Sequence, residues 1–166
     1  MKERRVRKDG KIVTTRKGFF VRELAERIVK NLRPYCKKIQ VVGSIRRKEK
    51  NPVDIDIVLI PKNKDEVEEV MRDKGKFVQG GEKESTWRVQ GVKVELYYTV
   101  PEEWGAALLA YSSKTGSGIG LRMVAKRKGF KLNNHGLFKG KKRIAGRTER
   151  EIYKALGRPW KPPEER

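Results

Sequence analysis

Apolar side chains recur every four residues between Phe19 and Leu32, at positions 20, 24, 28 and 32. This spacing places them on one face of an α-helix, and the proline at position 34 is expected to end that helix. Residues 1–17 precede it as a basic, turn-rich arm in which Asp9-Gly10 could form a hairpin turn. The chain therefore begins with a basic arm followed by an amphipathic helix.

Shorter apolar segments between positions 39 and 99 have the pattern of strands. Strands are predicted over 39–42, 53–60, 87–89 and 92–99. The last two form a hairpin around Gly91, and the second of them alternates cleanly between apolar and polar positions. A short charged helix is predicted over 64–72, closing at Gly75. Strands interleaved with helices, partly through hairpins, indicate a mixed sheet covered by helices.

The pattern changes after Pro101. Helices are predicted over 104–111 and 121–128, separated by the polar, glycine-rich break SSKTGSGIG. A small hairpin with a basic turn follows. Thr148 then begins a final helix, because the run Thr-Glu-Arg-Glu has the spacing of a capping box.

These segments divide into two lobes, residues 1–103 and residues 104–166. The first contains the predicted mixed sheet with its helices, and the second is a smaller lobe in which helices surround a hairpin. The predicted fold class is therefore α+β, a mixed β-sheet with helices followed by a small α/β lobe.

The charge of the chain is strongly positive. Its 42 lysines and arginines exceed 21 acidic residues, which gives a formal net charge of +21. Residues 1–50 contain 18 basic and 5 acidic side chains, whereas residues 51–100 contain 8 and 10. Such a charge favours polyanions, nucleic acid first and an anionic membrane surface second. A near-neutral middle between two basic ends indicates a surface that holds a phosphate backbone around an acidic centre.

Several classes of protein are excluded by what the sequence lacks. With one cysteine, Cys36, and one histidine, His135, neither an internal disulfide nor a multi-cysteine zinc site is expected. No apolar run approaches the roughly 18–20 residues of a membrane span. The basic start is followed by no apolar segment of the kind found in secretory signals. We therefore expect a cytoplasmic protein with no membrane partner.

Two aspartates interrupt the apolar strand predicted over 53–60. Because successive side chains of a strand alternate between its faces, Asp54 and Asp56 point the same way, roughly 7 Å apart. Glu95 has a matching position on the later strand, so the three carboxylates can converge if those strands are neighbours. Convergent carboxylates repel one another unless a cation intervenes, and hard oxygen ligands favour Mg²⁺ or Mn²⁺. Two such ions about 4 Å apart promote in-line phosphoryl displacement.

A phosphate-binding turn is predicted just before these aspartates. Gly43 and Ser44 end a strand, where backbone N–H groups and a hydroxyl can receive phosphate oxygens. The guanidinium groups of Arg46 and Arg47 follow directly and can neutralise a leaving pyrophosphate. Taken singly, an Asp-x-Asp pair is more often an ion-pair decoration, and Gly-Ser is usually a simple turn. The combination with a later strand carboxylate is much more specific.

The segment GSIRR…VDIDIVLIP resembles the nucleotidyltransferase signature of the DNA polymerase X family, the family of DNA polymerase beta. Residues 104–138 and 144–166, which contain the TGS, GLF and TE-x-EIY-x-ALG elements, are similar to the thumb of its bacterial and archaeal members. The resemblance covers about residues 20–166. It implies a palm over 1–103 and a thumb over 104–166, without lyase, helix-hairpin-helix or phosphoesterase domains, similar in plan to the minimal viral members.

The resemblance also implies which residues bind the metal ions. Asp54 and Asp56 would hold two Mg²⁺ ions, for which Mn²⁺ could substitute. Glu95 would hold the catalytic ion and help to deprotonate the primer 3′-hydroxyl.

Further roles follow for the nucleotide and the DNA. Gly43, Ser44 and Arg47 would contact the incoming triphosphate, with Arg46 as a helper. Tyr111 matches a family tyrosine beside the nucleotide sugar. On the DNA, Lys83 matches a lysine that touches the duplex, and Arg122 an arginine at the minor groove of the template strand.

Four positions depart from the family pattern. The third carboxylate, Glu95, stands where polymerase beta has aspartate, and Val53 replaces a glycine that contacts phosphate. Ser112 follows the hinge tyrosine where the family usually has an aromatic residue. Gly118 stands where an asparagine contacts the nascent base, and the helix after TGS is expected to be short. These changes bear on fidelity and sugar discrimination more than on catalysis.

The predicted function is that of a monomeric family X DNA polymerase that adds deoxynucleotides to a primer 3′ end and fills short gaps during DNA repair. Its partners would be primer-template or gapped DNA and a deoxynucleoside triphosphate, in the cytoplasm, or in the host cytoplasm for a viral source. Two alternatives remain open. One is a template-independent enzyme, or a nucleotidyltransferase acting on RNA, a protein or a small molecule. The other is a DNA-binding protein with an inactive site.

Overall fold

The structure, a computed structural model, describes residues 2–6, 10 and 12–166, without the side chains of 2–6 and 12–15. The described chain forms two compact units. The first runs to Ile45 and from Glu49 to Tyr98, and the second contains Arg46–Lys48 and Thr99–Arg166. The predicted turn residue Asp9 lies outside the described residues.

Strands and helices alternate through the first unit. Its strands are β1 (Lys2–Val6), β2 (Ile12–Arg16), β3 (Cys36–Val42), β4 (Ile55–Pro61), β5 (Lys76–Gly80), β6 (Glu84–Val89) and β7 (Val92–Tyr98). Its helices are α1 (Gly18–Leu32), the single turn α2 (Gly43–Arg46), whose last residue belongs to the second unit, and α3 (Lys64–Lys74). A 3₁₀ turn over Arg33–Tyr35 follows α1, at the proline predicted to end it.

Five of these strands form one mixed sheet in the order β3-β4-β7-β6-β5. Strands β4 and β7 are parallel, and the other neighbours in this sheet are antiparallel. Strands β1 and β2 pair separately as an antiparallel hairpin. The mixed sheet with its helices confirms the predicted α+β class.

The core of the first unit lies on the face of the sheet that α1 and α3 cover. Ile55 and Ile57 of β4 are fully buried there, together with Ile28 and Leu32 of α1. Fully burying a side chain of this size stabilises the fold by about 1.5–3 kcal/mol. The four-residue period over positions 20–32 therefore identified the face of α1 that packs on the sheet. Position 20 lies on this face but is only partly buried.

The segment that leads into β4 is fixed against the start of α1. Arg22 donates hydrogen bonds to the carbonyl oxygens of Glu49 and Lys50. A Cβ at Gly18 would lie 3.0 Å from the Lys50 oxygen and 3.1 Å from the Asn51 Cα. The loop before the aspartates is thus held by backbone contacts at close range.

Strand boundaries differ from the prediction in several places, and β3 begins at Cys36, three residues earlier than predicted. Strand β4 begins at Ile55 rather than at position 53, so Asp54 precedes it. Strand β6 begins at Glu84, three residues earlier than predicted. Strand β5 was not predicted, because it is an edge strand whose five residues are all exposed and show no buried alternation.

The second unit packs helices on a small sheet. Its helices are α4 (Trp104–Ser112), α5 (Thr115–Arg127) and α6 (Glu149–Ala155), and its strands are β8 (Lys131–Asn133), β9 (Gly136–Lys139) and β10 (Lys142–Ala145). The predicted small hairpin is therefore a three-stranded antiparallel sheet in the order β10-β9-β8. The core is formed by buried residues of α4, α5 and α6 and of the three strands.

The prediction of a glycine-rich break was wrong. Helix α5 begins at Thr115, so Gly116, Gly118 and Gly120 are helical. Each glycine in a helix interior costs about 1 kcal/mol relative to alanine, which is why the sequence suggested a loop. The packing of the later turns of α5, through the fully buried Ala125, outweighs that cost.

The predicted start of α6 is confirmed. The Thr148 hydroxyl accepts a hydrogen bond from the Glu151 N–H at 3.1 Å. The Glu151 carboxylate reaches back to the N–H groups of Gly146 and Arg147, at 2.7 Å each. Across the described residues, no helix combines the length and the apolar character needed to cross a membrane.

Candidate active site

The parallel pairing of β4 and β7 brings two of the predicted carboxylates together. Asp56 and Glu95 are register partners on these neighbouring strands. Both side chains point away from the core face, because the residues on either side of them in each strand are buried. Asp54 lies one residue before β4 and is more exposed. The structure thus brings the predicted carboxylates together, with Asp56 and Glu95 on the face of the sheet opposite the core.

Two further side chains of β7 join the carboxylates. Lys93 Nζ lies 3.2 Å from Glu95 Oε1 and 3.9 Å from Asp54 Oδ2. The Tyr97 hydroxyl lies 3.3 Å from Asp56 Oδ1 and also contacts Glu95 Oε2. Glu95 is therefore connected to Asp54 through the ammonium group of Lys93 and to Asp56 through the hydroxyl group of Tyr97.

The pKa values of the aspartates reflect an excess of negative charge. Burial raises the pKa of Asp56 to about 6, and the neighbouring charges of Glu95 and Asp54 add to the rise. Burial also raises the pKa of Asp54, against the opposing effect of Lys93. The pKa of Lys93 is raised: burial alone would lower it, but Glu95 and Asp54 outweigh burial. The carboxylates therefore retain repulsion that one lysine does not cancel, and an additional cation would relieve it.

The donor set suits a hard divalent cation. Carboxylate oxygens are the ligands that Mg²⁺ and Mn²⁺ prefer, and the pKa values of both aspartates are raised, first by burial and then by the neighbouring carboxylates. As the side chains stand, no three acidic, histidine or cysteine residues among those described are arranged as a metal-binding group. Lys93 is the cation beside two of the carboxylates in this arrangement. Asp54, Asp56 and Glu95 are the acidic side chains around that lysine, and their oxygens are of the type that such an ion prefers.

The backbone of Gly43 lies against one of these carboxylates, that of Asp56. The φ of Gly43 is +63°, and a Cβ built on it would lie 2.4 Å from Asp56 Oδ2. A side chain at this position would therefore be strained and would displace the Asp56 carboxylate. The predicted turn after β3 is the single helical turn α2, which also contains Ser44. The Ser44 carbonyl accepts a hydrogen bond from the Glu49 N–H at 3.0 Å.

Arg46 belongs to the second unit and is held there by two side chains. Its guanidinium donates to Ser112 Oγ at 2.7 Å and to the two carboxylate oxygens of Glu149 at 3.0 and 2.6 Å. Arg166 donates to Glu149 from the other side at 2.7 Å. The pKa of Glu149 is lowered, because the hydrogen bonds from both arginines outweigh the opposing effect of burial.

Glu149 and Arg166 were not identified from the sequence. Glu149 was read only as part of the capping sequence that begins α6, and Ser112 only as a departure from a family aromatic. Both lie far along the chain from Arg46, at separations of 103 and 66 residues. Local sequence spacing gives no signal for contacts over such separations.

The other predicted nucleotide and DNA residues are distributed over both units. In the second unit, Arg47 Nη1 lies 3.5 Å from the Ser112 carbonyl oxygen, and the Tyr111 hydroxyl accepts a hydrogen bond from Asn134 at 3.4 Å. Arg122 is exposed on α5 and lines a cavity with residues of α4, α5 and β8. In the first unit, Lys83 is exposed before β6, and its carbonyl accepts a hydrogen bond from the Tyr98 N–H at 2.9 Å.

Comparisons with known proteins agree on one family. Residues 107–166 match the family model described as the DNA polymerase beta thumb. The chain is 31% identical to Repair DNA polymerase X of an African swine fever virus isolate from a pig in Kenya, over 78% of this chain and 82% of that protein. It is 30% identical to the protein of the same name from a South African tick isolate, with the same coverage.

Proposed function

The chain belongs to the X family of DNA polymerases, and from this premise we propose that its two-strand carboxylate site transfers deoxynucleotides to the 3′ end of a DNA primer. The observation that carries the proposal is the register pairing of Asp56 with Glu95 on parallel strands, with Asp54 beside them. Acidic side chains at adjacent positions of a sheet favour the binding of cations. Bound divalent cations in turn promote the transfer of a phosphoryl group to a hydroxyl group.

The carboxylates would act on the primer end. Asp54 and Asp56 hold the divalent cations, which we propose to be two Mg²⁺ ions replaceable by Mn²⁺. When bound, these ions supply charge neutralisation at the α-phosphate and at the leaving pyrophosphate. Glu95 orients the primer 3′-hydroxyl and receives its proton while that oxygen bonds to the α-phosphorus and the bond to pyrophosphate breaks.

The residues assigned to the nucleotide contribute backbone groups in some cases and side chains in others. Gly43 and Ser44 present the backbone of α2 beside Asp56, which suits them to phosphate oxygens. The Arg46 guanidinium already serves Ser112 and Glu149, so we assign it to holding the segment after Ser44. By resemblance to the family, Arg47 is assigned to the triphosphate and Tyr111 to the sugar.

DNA would be held mainly by charge. With a formal net charge of +21, binding should weaken steeply as the salt concentration rises, because the counterions that the protein displaces from the DNA gain less entropy in more concentrated salt. Lys83 and Arg122, both exposed, are the residues we assign to the duplex and to the template strand. We propose that the enzyme acts as a monomer in the cytoplasm, or in host cytoplasm, and fills short gaps.

The test is primer extension by the intact chain. Wild-type protein should extend a primer on gapped DNA with the complementary deoxynucleotide supplied alone, and Asp56→Ala should abolish extension while gapped DNA still binds. Incorporation without regard to the template, or transfer to RNA alone, would favour the other nucleotidyltransferases. Unimpaired synthesis by Asp56→Ala would contradict the assignment of the site, and binding without any extension by wild type would indicate an inactive protein.

A further inference from the structure

Tyr97 contacts two carboxylates that belong to different strands. It lies two residues after Glu95 on β7 and therefore on the same face of the sheet. Its side chain is half-buried, and its hydroxyl lies between Asp56 on β4 and Glu95.

The contacts divide the carboxylate oxygens into two groups. The Tyr97 hydroxyl faces Oδ1 of Asp56 and Oε2 of Glu95. Oδ2 of Asp56 instead faces the Cα side of Gly43, where no side chain stands. Oε1 of Glu95 faces the Lys93 ammonium. One oxygen of each carboxylate is thus held by the hydroxyl, while the other faces a backbone or a cation.

We propose that Tyr97 is a positioning residue for the metal-binding carboxylates. Its hydroxyl fixes the rotation of Asp56 and Glu95 and offsets part of their repulsion, so that their remaining oxygens are set for a divalent cation. This inference rests on the proposed function, because it assumes that these carboxylates are the metal ligands. Removing a hydrogen bond that a neighbouring residue makes to a metal ligand commonly lowers metal affinity or activity about 10–100-fold.

The alternation of side chains along β7 provides a matched control for Tyr97 in the next residue. Tyr98 follows Tyr97 on β7, points to the opposite face, and is bonded through its hydroxyl to Ser85 Oγ at 2.7 Å. Tyr97→Phe and Tyr98→Phe each remove one hydroxyl from a half-buried tyrosine of the same strand. Only the first change removes a contact with the carboxylates.

The primary measurement is Mn²⁺ binding to the free protein, by electron paramagnetic resonance. Tyr97→Phe should weaken Mn²⁺ binding by about tenfold, and Tyr98→Phe should bind as wild type does. In primer extension, Tyr97→Phe should lower kcat with little change in the nucleotide KM, and higher Mn²⁺ should restore part of the rate. Equal Mn²⁺ affinity in wild type and Tyr97→Phe would overturn the proposal.

A second measurement needs no altered Tyr97. The chain has five tyrosines, so ring-labelled wild-type protein gives a small set of resonances, and Tyr→Phe variants of the other four assign Tyr97 by elimination. Saturating Mg²⁺ should shift the Tyr97 resonance and leave that of Tyr98 in place; an unmoved Tyr97 resonance would overturn the proposal. If Mn²⁺ binding depends on Tyr97 but the wild-type protein does not extend primers, the proposed function is refuted and the role of Tyr97 is not.

Discussion

The guanidinium of Arg46 donates to both carboxylate oxygens of Glu149, across 103 residues of sequence. Arg166 occupies the other side of the same carboxylate, and the side chains of Glu149 and Arg166 are 6% and 1% exposed. A buried acid flanked by two arginines is costly to unpair, because the arginines would keep their charges without a partner. The second unit therefore depends on the ionised form of one glutamate.

Glu149→Gln should destabilise the second unit by about 3 kcal/mol at neutral pH. Because the folded-state pKa of Glu149 is lowered, its contribution is fully present above the ordinary glutamate pKa of 4.5 and is lost as pH falls through the folded value. Urea unfolding at pH 7 and pH 3 should therefore show a smaller difference between wild type and variant at pH 3. Glu69→Gln, at an exposed position of α3, is the control and should leave both curves unchanged. A difference that stays constant from pH 7 to pH 3 would contradict the ionic role.

Gly43→Ala should lower kcat for primer extension at least about tenfold. The added Cβ would lie 2.4 Å from Asp56 Oδ2 and would push that carboxylate out of place. Even a small displacement of a catalytic group slows a reaction strongly. The positive φ of +63° should add a loss of stability of about 1 kcal/mol. Primer extension and thermal unfolding measure the two effects. Gly81→Ala is the matched control, since no atom lies within 4 Å of its added Cβ. Normal extension by Gly43→Ala would show that the close approach to Asp56 has no catalytic consequence.

Two substitutions at Glu95 separate charge from length. Glu95→Gln keeps the shape but removes the charge that binds a cation, so it should eliminate primer extension. Glu95→Asp keeps the charge with one methylene fewer and should retain some activity. Single-nucleotide extension on gapped DNA compares them at equal protein concentration. If both variants extend equally well, Glu95 does not belong to the metal site.

Much of the first unit followed from periodicity in the sequence. Alternation predicted that Val92, Val94 and Leu96 would be buried opposite Lys93, Glu95 and Tyr97, and burial along β7 confirms it. The face of Asp56 was also predicted, because it depends only on the two-residue period of a strand, whereas Asp54 precedes β4. The neighbour relation of β4 and β7 was posed as a condition, since pairing between distant strands depends on packing of the whole sheet.

Other features depended on contacts that a sequence does not display. The edge strand β5 is exposed throughout, so no apolar pattern marked it. Helix α5 includes three glycines, which have a low helix propensity, because packing around Ala125 outweighs that propensity. The pairing of Arg46 with Glu149 joins residues 103 positions apart, and local spacing carries no signal for it.

Strand β7 is the last strand of the first unit in sequence and the middle strand of its five-stranded sheet. During synthesis, the ribosome must therefore release the chain as far as Tyr98 before β4 and β6 gain their shared neighbour. Until then the nascent polypeptide carries Asp54 and Asp56 without Glu95, so the carboxylate site is incomplete. Completion of the sheet and assembly of the carboxylate site are thus the same event, so a truncated product lacking β7 would lack the site altogether.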